Sequence, residues 1–297
     1  MKVRTILFLT LILIIAYELT DWEFLYVHSQ PNTTISKKPS HRPVIYFVPH
    51  ADDEVLTYSP DMQNEMQQGR PIYLILFSKG EESIAREVLN GTYDRQSFQK
   101  DQIGQPVFCK WHWRVHSPTK EHFADGTLSH EEFGNARVKD FYRVAKALGI
   151  HRSHVQTYAI PNGHFAPSQV KALIKKYISK FPDADFRTMS SYDIHPDHAA
   201  MGKALEHLIR TKKIPANQVR FFLSIYTDRL SGKTIPKMRY YSQVKKNSIA
   251  YNRIQKSIDF YAKYDPKHGF YATGYHSVPA QFNALKNALY STWYQPH

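Results

Sequence analysis

Two short clusters of ligand-type side chains, far apart in sequence but alike in context, constrain this 297-residue chain more than any other feature. The first, His50-Ala51-Asp52-Asp53-Glu54, follows Val44-Ile45-Tyr46-Phe47-Val48-Pro49, a β-branched and aromatic run that reads as a buried strand. The second, His195-Pro196-Asp197-His198, follows the run Asp185–Ser190 and opens an amphipathic stretch. Ligating groups at the carboxyl end of a strand, where it opens onto a helix, sit where open α/β sheets bind their substrates. On a first helical turn His50 and Asp53 share a face, while Asp52 is rotated about 100° from Asp53. One carboxylate can then hold a metal while its neighbour handles a proton. His198 completes a His–Asp–His set with one coordination position open, the composition of a catalytic zinc site and not of a closed structural one. Each cluster alone has an ordinary reading: a solvated helix start for Asp-Asp-Glu, a capped turn for His-Pro-Asp-His. Their pairing in one chain argues for chemistry.

The same residues carry a family resemblance. The pair resembles the PIG-L/LmbE-like zinc-dependent N-deacetylases, whose two motifs usually read His-Pro-Asp-Asp-Glu and His-Pro-Asp-His. The likeness continues between them: Arg137-Val138-Lys139-Asp140 and Leu148-Gly149 match an Arg-x-x-Glu helix ending in Leu-Gly, and Asn162-Gly163 lies where Asp-Gly is usual. Asp193 stands two before His195, and Ala200 and Gly202 follow His198 as in the family. Coverage is roughly residues 43 to 225. Ala51 replaces the proline of the first motif, Asp140 a glutamate and Asn162 an aspartate, and none of these removes a metal ligand.

Around the motifs, strand and helix alternate: strand 44–48, a helix to about Gln68, strand 72–77, a helix from Arg137 to Leu148 capped by Gly149, and strand 155–159. Helix 168–180, the run 185–190, helix 198–211 and strand 220–226 follow, and the basic, tyrosine-rich remainder contains one helix near 247–263. Residues 83 to 136 read as irregular, with Trp111, His112, Trp113 and His116 forming a sugar platform or, more simply, a hydrophobic patch. Such alternation predicts a right-handed, mostly parallel three-layer α/β/α sandwich; the resemblance implies the same, a Rossmann-like sheet with zinc at the carboxyl ends of its strands. There is no P-loop, no Gly-x-Gly-x-x-Gly and no internal repeat, and the single cysteine, Cys109, excludes a disulfide framework or a cysteine-rich metal site.

The first 27 residues read as a targeting segment. Lys2 and Arg4 precede an apolar run from Ile6 to Tyr17, and Glu18, Asp21 and Glu23 follow. The pattern favours an uncleaved signal-anchor over a cleaved peptide, a polar linker over residues 28–42 and a domain over 43–297 outside the cytoplasm. A formal net charge of +13 favours an anionic partner. For an exported domain that is an envelope polymer or a lipid surface, not nucleic acid.

The resemblance implies Zn2+ held by His50, Asp53 and His198, with Asp52 as general base. It also implies His195, as imidazolium, stabilising the oxyanion and oriented by Asp197 or, second, by Asp193. Arg137 would contact substrate hydroxyls or phosphate, or else pair with Asp140 at a helix start; His276 is a rim candidate for substrate. The activity implied is removal of an N-acetyl group from an N-acetylglucosamine-type glycan or glycoconjugate. The competing reading is a non-catalytic zinc-containing surface module that binds anionic polymer or glycan.

Overall fold

The computed structural model describes residues 41–90, 107–109, 114–116, 128–224, 238–287 and 289–296. Strand β1 (Val44–His50) is buried along its whole length. Val44, Tyr46 and Val48 enter the core on one face while Ile45 and Phe47 enter the core on the other, the two-residue alternation of a central strand. A π-helical turn, Glu54–Tyr58, leads into α1 (Ser59–Gln67), and β2 (Ile72–Ser78) then pairs parallel to β1. The short helix α2 (Ile84–Leu89) and a hairpin of β3 (Val107–Cys109) and β4 (Arg114–His116) precede α3 (His130–Leu148). Next come β5 (Val155–Thr157), α4 (Pro167–Lys180), β6 (Asp185–Met189), α5 (Pro196–Arg210) and β7 (Val219–Leu223). The C-terminal part supplies β8 (Tyr240–Gln243), α6 (Ile249–Ala262), a small hairpin of β9 (Tyr264–Asp265) and β10 (Phe270–Tyr271), α7 (Pro279–Asn287) and β11 (Tyr290–Tyr294).

Among the described residues the main sheet runs β5-β2-β1-β6-β7-β11-β8. The first five are parallel, and β11 is antiparallel to both β7 and β8. Residues of α1, α3, α6 and α7 pack on one face and residues of α4 and α5 on the other. The mostly parallel three-layer sandwich expected from the alternation is therefore present. The chain moves outward from β1 to β2 and β5 on one side, then returns to β6 and β7 on the other. That reversal opens a crevice at the carboxyl ends of β1 and β6.

Several details differ from the sequence reading. Helix α3 starts at His130, seven residues before Arg137, with Ser129 and Glu132 forming a reciprocal capping box. Its buried face carries Arg137 and Asp140 among Phe133, Phe141 and Val144, so polar residues interrupt the apolar stripe that marks a helix in sequence. The antiparallel strands β8 and β11 and helix α7 lie in the stretch read as a tyrosine-rich remainder. The membrane segment expected over 1–27 and all but the last two residues of the linker expected over 28–42 lie outside the described residues, as does most of the Trp111–His116 cluster. Among the described residues no helix is long and apolar enough to cross a membrane.

Candidate metal centre and active site

The last residue of β1 and the first turn of α5 bring the two motifs together. Gly202, one turn beyond His198, makes this possible: a Cβ there would lie 2.7 Å from the Ser190 carbonyl carbon and 2.8 Å from the Met189 oxygen. Helix α5 is thus pressed directly onto the end of β6, which carries His198 towards His50. His50 Nδ1, Asp53 Oδ2 and His198 Nε2 form a triangle with edges of 3.4, 3.2 and 3.3 Å. For a tetrahedral zinc with ligands at about 2.0–2.1 Å, neighbouring ligand atoms lie about 3.3–3.4 Å apart. The donor set fits that ion in both type and spacing. A looser set of His50, His195 and His198 has ligand atoms within 4.8 Å of one another. The Asp53-containing triangle is tighter and adds a negative charge for a cation.

Each ligand histidine is held from behind by its own carboxylate. His50 Nε2 donates to Asp197 Oδ2 at 3.0 Å, and His198 Nδ1 donates to Asp193 Oδ2 at 3.0 Å. With the outer nitrogens donating, the inner ones turn lone pairs toward each other and toward the Asp53 carboxylate. Three acceptors turned toward one point could hold a cation. The protonation of the metal-free site says the same: burial pulls His198 down, yet Asp53 and Asp193 push it up to about 10. Burial also works against ionised Asp53, and the charge on His198 and the hydrogen bonds from both histidines still hold it well below the usual carboxylate range. Asp197 therefore orients His50 and not His195, a correction to the role the resemblance implied. It is fastened in turn by the Gly163 and Phe165 amides at 2.6 and 3.2 Å.

Asp52 and Asp53 part company for a reason other than helical rotation. Asp52 has φ +124°, so the chain turns sharply at this residue before the helix begins. Its amide donates to Glu54 Oε2 at 2.9 Å, and its side chain accepts from Arg137 Nη2 at 3.0 Å. Burial raises Asp52 above the usual carboxylate range; Arg137 opposes that and Asp53 adds to it. A raised carboxylate beside a metal suits a base that must later give its proton back. His195 caps α5, its Nδ1 accepting from the Asp197 amide at 3.3 Å, which leaves Nε2–H for the cavity. Burial, and then the charges of His198 and His50, push His195 down to about 4. Without metal it is therefore the neutral imidazole, where the resemblance implies an imidazolium.

Arg137 does not pair with Asp140. Its guanidinium donates to the carbonyls of Lys79, Thr273 and Ala51 as well as to Asp52, and Gly80 leaves room for it. It lines the cavity, but as a clamp on the first motif. Asp140 instead accepts from Arg143 and from the Thr273 hydroxyl. His276 is fully buried, bonded through Nδ1 to the Tyr271 carbonyl, and is no rim residue. Its neighbours Ser277 and Val278 take that place: with Glu82, Ser83, Ile84 and Asn162 they surround the catalytic residues in a cavity of about 300 Å3. Of these six, Asn162 belongs to a motif and Glu82 to the loop after β2, and the other four reach the cavity only through the tertiary fold.

Residues 45–209, more than half of the chain, match the family model described as PIG-L: GlcNAc-PI de-N-acetylase. The chain belongs to the PIG-L family. The match spans both motifs and Arg137, and it stops short of the PIG-L member's β7 and everything after it. No curated protein matches the chain by sequence. Among solved structures, a triple mutant of a deacetylase from the teicoplanin biosynthetic pathway is 14% identical over 86% of this chain and 98% of its own, with a TM-score of 0.56. The A40926 pseudoaglycone deacetylase is 16% identical over 86% and 97%, with a TM-score of 0.54. The N,N′-diacetylchitobiose deacetylase from Pyrococcus horikoshii is 14% identical over 88% and 86%, with a TM-score of 0.53. At these identities the likeness is one of fold.

Proposed function

We propose that this PIG-L member is a zinc-dependent hydrolase that removes the N-acetyl group from an N-acetylglucosamine-type glycan or glycoconjugate. The observation that carries the reading is the tetrahedral-edge triangle of His50, Asp53 and His198 with a separate, raised carboxylate, Asp52, beside it. When bound there, zinc supplies a Lewis acid for the acetyl carbonyl and an acidified water. Asp52 takes the proton of the attacking water and returns it to the leaving amine. His195 donates from Nε2 to the carbonyl oxygen as negative charge develops on it. Arg137 keeps Asp52 aimed by holding its carboxylate and the Ala51 carbonyl together. The family description, and neighbours that deacetylate A40926 pseudoaglycone and N,N′-diacetylchitobiose, support an N-acetylated sugar substrate. The binding-module alternative leaves Asp52, on a backbone conformation that side chains rarely adopt, without a task.

The test is release of acetate and primary amine in equal amounts from a panel of N-acetylglucosamine oligomers, N-acetylglucosaminyl-phosphatidylinositol and N-acetylated wall polymers. Turnover of one of them, abolished by chelation and restored by zinc, supports the reading; no release from any member refutes it. We place the enzyme at the cell envelope, anchored through residues 1–27 and drawn to an anionic polymer or lipid surface by its positive charge. The net charge of +13 and the basic flank before the apolar run support this. Binding to isolated envelope should weaken as salt rises, since such attraction is screened beyond about 8 Å at physiological ionic strength; salt-independent binding would contradict it.

A further inference from the structure

The residues that hold Asp52 in place lead, by two separate routes, to one tyrosine outside the stretch that matches the family. Tyr261, on α6, is fully buried, and its hydroxyl donates to Glu54 Oε1 at 2.6 Å. The other oxygen of Glu54 accepts the Asp52 amide at 2.9 Å. That amide belongs to the residue with φ +124°, so the bond restrains a conformation the backbone would otherwise leave. The last torsion of a glutamate is broad. A Glu54 carboxylate held by one partner can swing, while one held at both oxygens cannot.

The second route uses the tyrosine's backbone. The Tyr261 carbonyl accepts from the amides of Gly274 and Tyr275 at 3.3 and 3.2 Å. A Cβ on Gly274 would sit 2.9 Å from the Tyr261 Cβ and closer still to Phe282, so the segment lies directly on this residue. That segment presents the Thr273 carbonyl to Arg137 Nη1 at 3.0 Å, and Arg137 Nη2 holds the Asp52 carboxylate at 3.0 Å. One route thus restrains the backbone of Asp52 and the other its side chain.

We propose that Tyr261 is a positioning residue for Asp52, acting through Glu54, and that the C-terminal segment thereby completes a site whose ligands all lie in the family-matched part. The catalytic consequence rests on the hydrolase reading; the geometric one does not. Tyr261→Phe removes the hydroxyl and keeps the ring. In the zinc-loaded full chain, kcat should fall about tenfold, the scale of one lost buried hydrogen bond, with KM within about twofold and zinc content unchanged. In an Asp52→Asn background the same substitution should cost nothing further, because both act through one group. Tyr46→Phe is the control: it removes an equally buried hydroxyl from a carboxylate, Asp61 at 2.7 Å, away from the site. It should leave kcat unchanged.

Amide hydrogen exchange at Asp52 reads the geometry with no substrate present. It should quicken about tenfold in Tyr261→Phe and stay constant in Tyr46→Phe. Unchanged exchange at Asp52, or the same loss of kcat with and without Asp52, would overturn the proposal and leave Tyr261 as a core residue. If the wild-type protein releases no acetate from any N-acetyl sugar, the hydrolase reading fails by itself, and the exchange result alone decides for or against Tyr261.

Discussion

Replacing Asp197 by asparagine separates the role seen in the structure from the one the family resemblance implies. Its Oδ2 accepts from His50 Nε2 at 3.0 Å and from the Gly163 amide at 2.6 Å, and its Oδ1 accepts from the Phe165 amide at 3.2 Å. All three partners donate. An asparagine offers one oxygen, and its NH2 must face at least one of those donors in either orientation. In the less costly orientation its oxygen keeps His50 and Gly163 while its NH2 faces the Phe165 amide, so the His50 ring is held by a neutral amide in place of a carboxylate. Loss of such an outer carboxylate typically costs 10–100-fold in metal affinity, which is about 1.4–2.7 kcal/mol. Competition titration of zinc against a chromophoric chelator, with wild type and variant side by side, reads this directly. We expect a Kd weakened by about 10–100-fold, and a kcat at saturating zinc that falls much less than in His195→Ala. Unchanged zinc affinity with a kcat loss matching His195→Ala would refute the argument, and Asp197 would then serve His195.

Two further outcomes follow from the same geometry. In the metal-free protein His198 is raised to about 10, so its protonated form stabilises the fold fully below about pH 6.5, and that contribution disappears as pH rises through 10. Zinc needs the neutral ring, so uptake near pH 7.5 should release a proton and affinity should rise about tenfold per pH unit; calorimetry in buffers of differing ionisation enthalpy checks this, and zero proton release contradicts it. Gly202→Ala should force α5 off β6, because the new Cβ meets backbone atoms of Met189 and Ser190 that cannot move aside. We expect a stability loss of about 1–3 kcal/mol together with weaker zinc binding, and a variant with wild-type melting and zinc affinity would refute it.

How much of this was readable beforehand depends on whether a residue's role is local. Strand β1 was legible because both of its faces are buried, leaving an unbroken apolar run, and the meeting of the two motifs because one ends a buried strand and the other opens a helix. The C-cap at Gly149 was legible too, with φ +89° where glycine suits best. The first seven residues of α3 were not, because among them only Phe133, Gly134 and Ala136 are buried and they make no apolar stripe. The Asp52–Asp53 divergence was expected from helical spacing and arises instead from one positive φ. The pairing of Asp197 with His50 and Asp193 with His198 spans 147 residues in one case and five in the other, and sequence spacing carries no information about either angle. His276 read as a rim candidate, whereas the fold buries it beside β9 and β10, its ring against Tyr264 and its Nδ1 on the Tyr271 carbonyl. Tyr261 was one tyrosine among 20, and only the packing of α6 sets it against Glu54.

The central claim, that Asp52 performs chemistry beside a metal held by other residues, is tested most directly by Asp52→Asn. Zinc content and turnover of an N-acetylated sugar are measured on the same preparation. The account predicts one zinc per chain as in wild type and a kcat reduced by about 10² or more, the usual contribution of a general acid–base. A variant that hydrolyses its substrate at close to the wild-type rate would contradict it, and Asp52 would then be no more than a residue of the turn before α1.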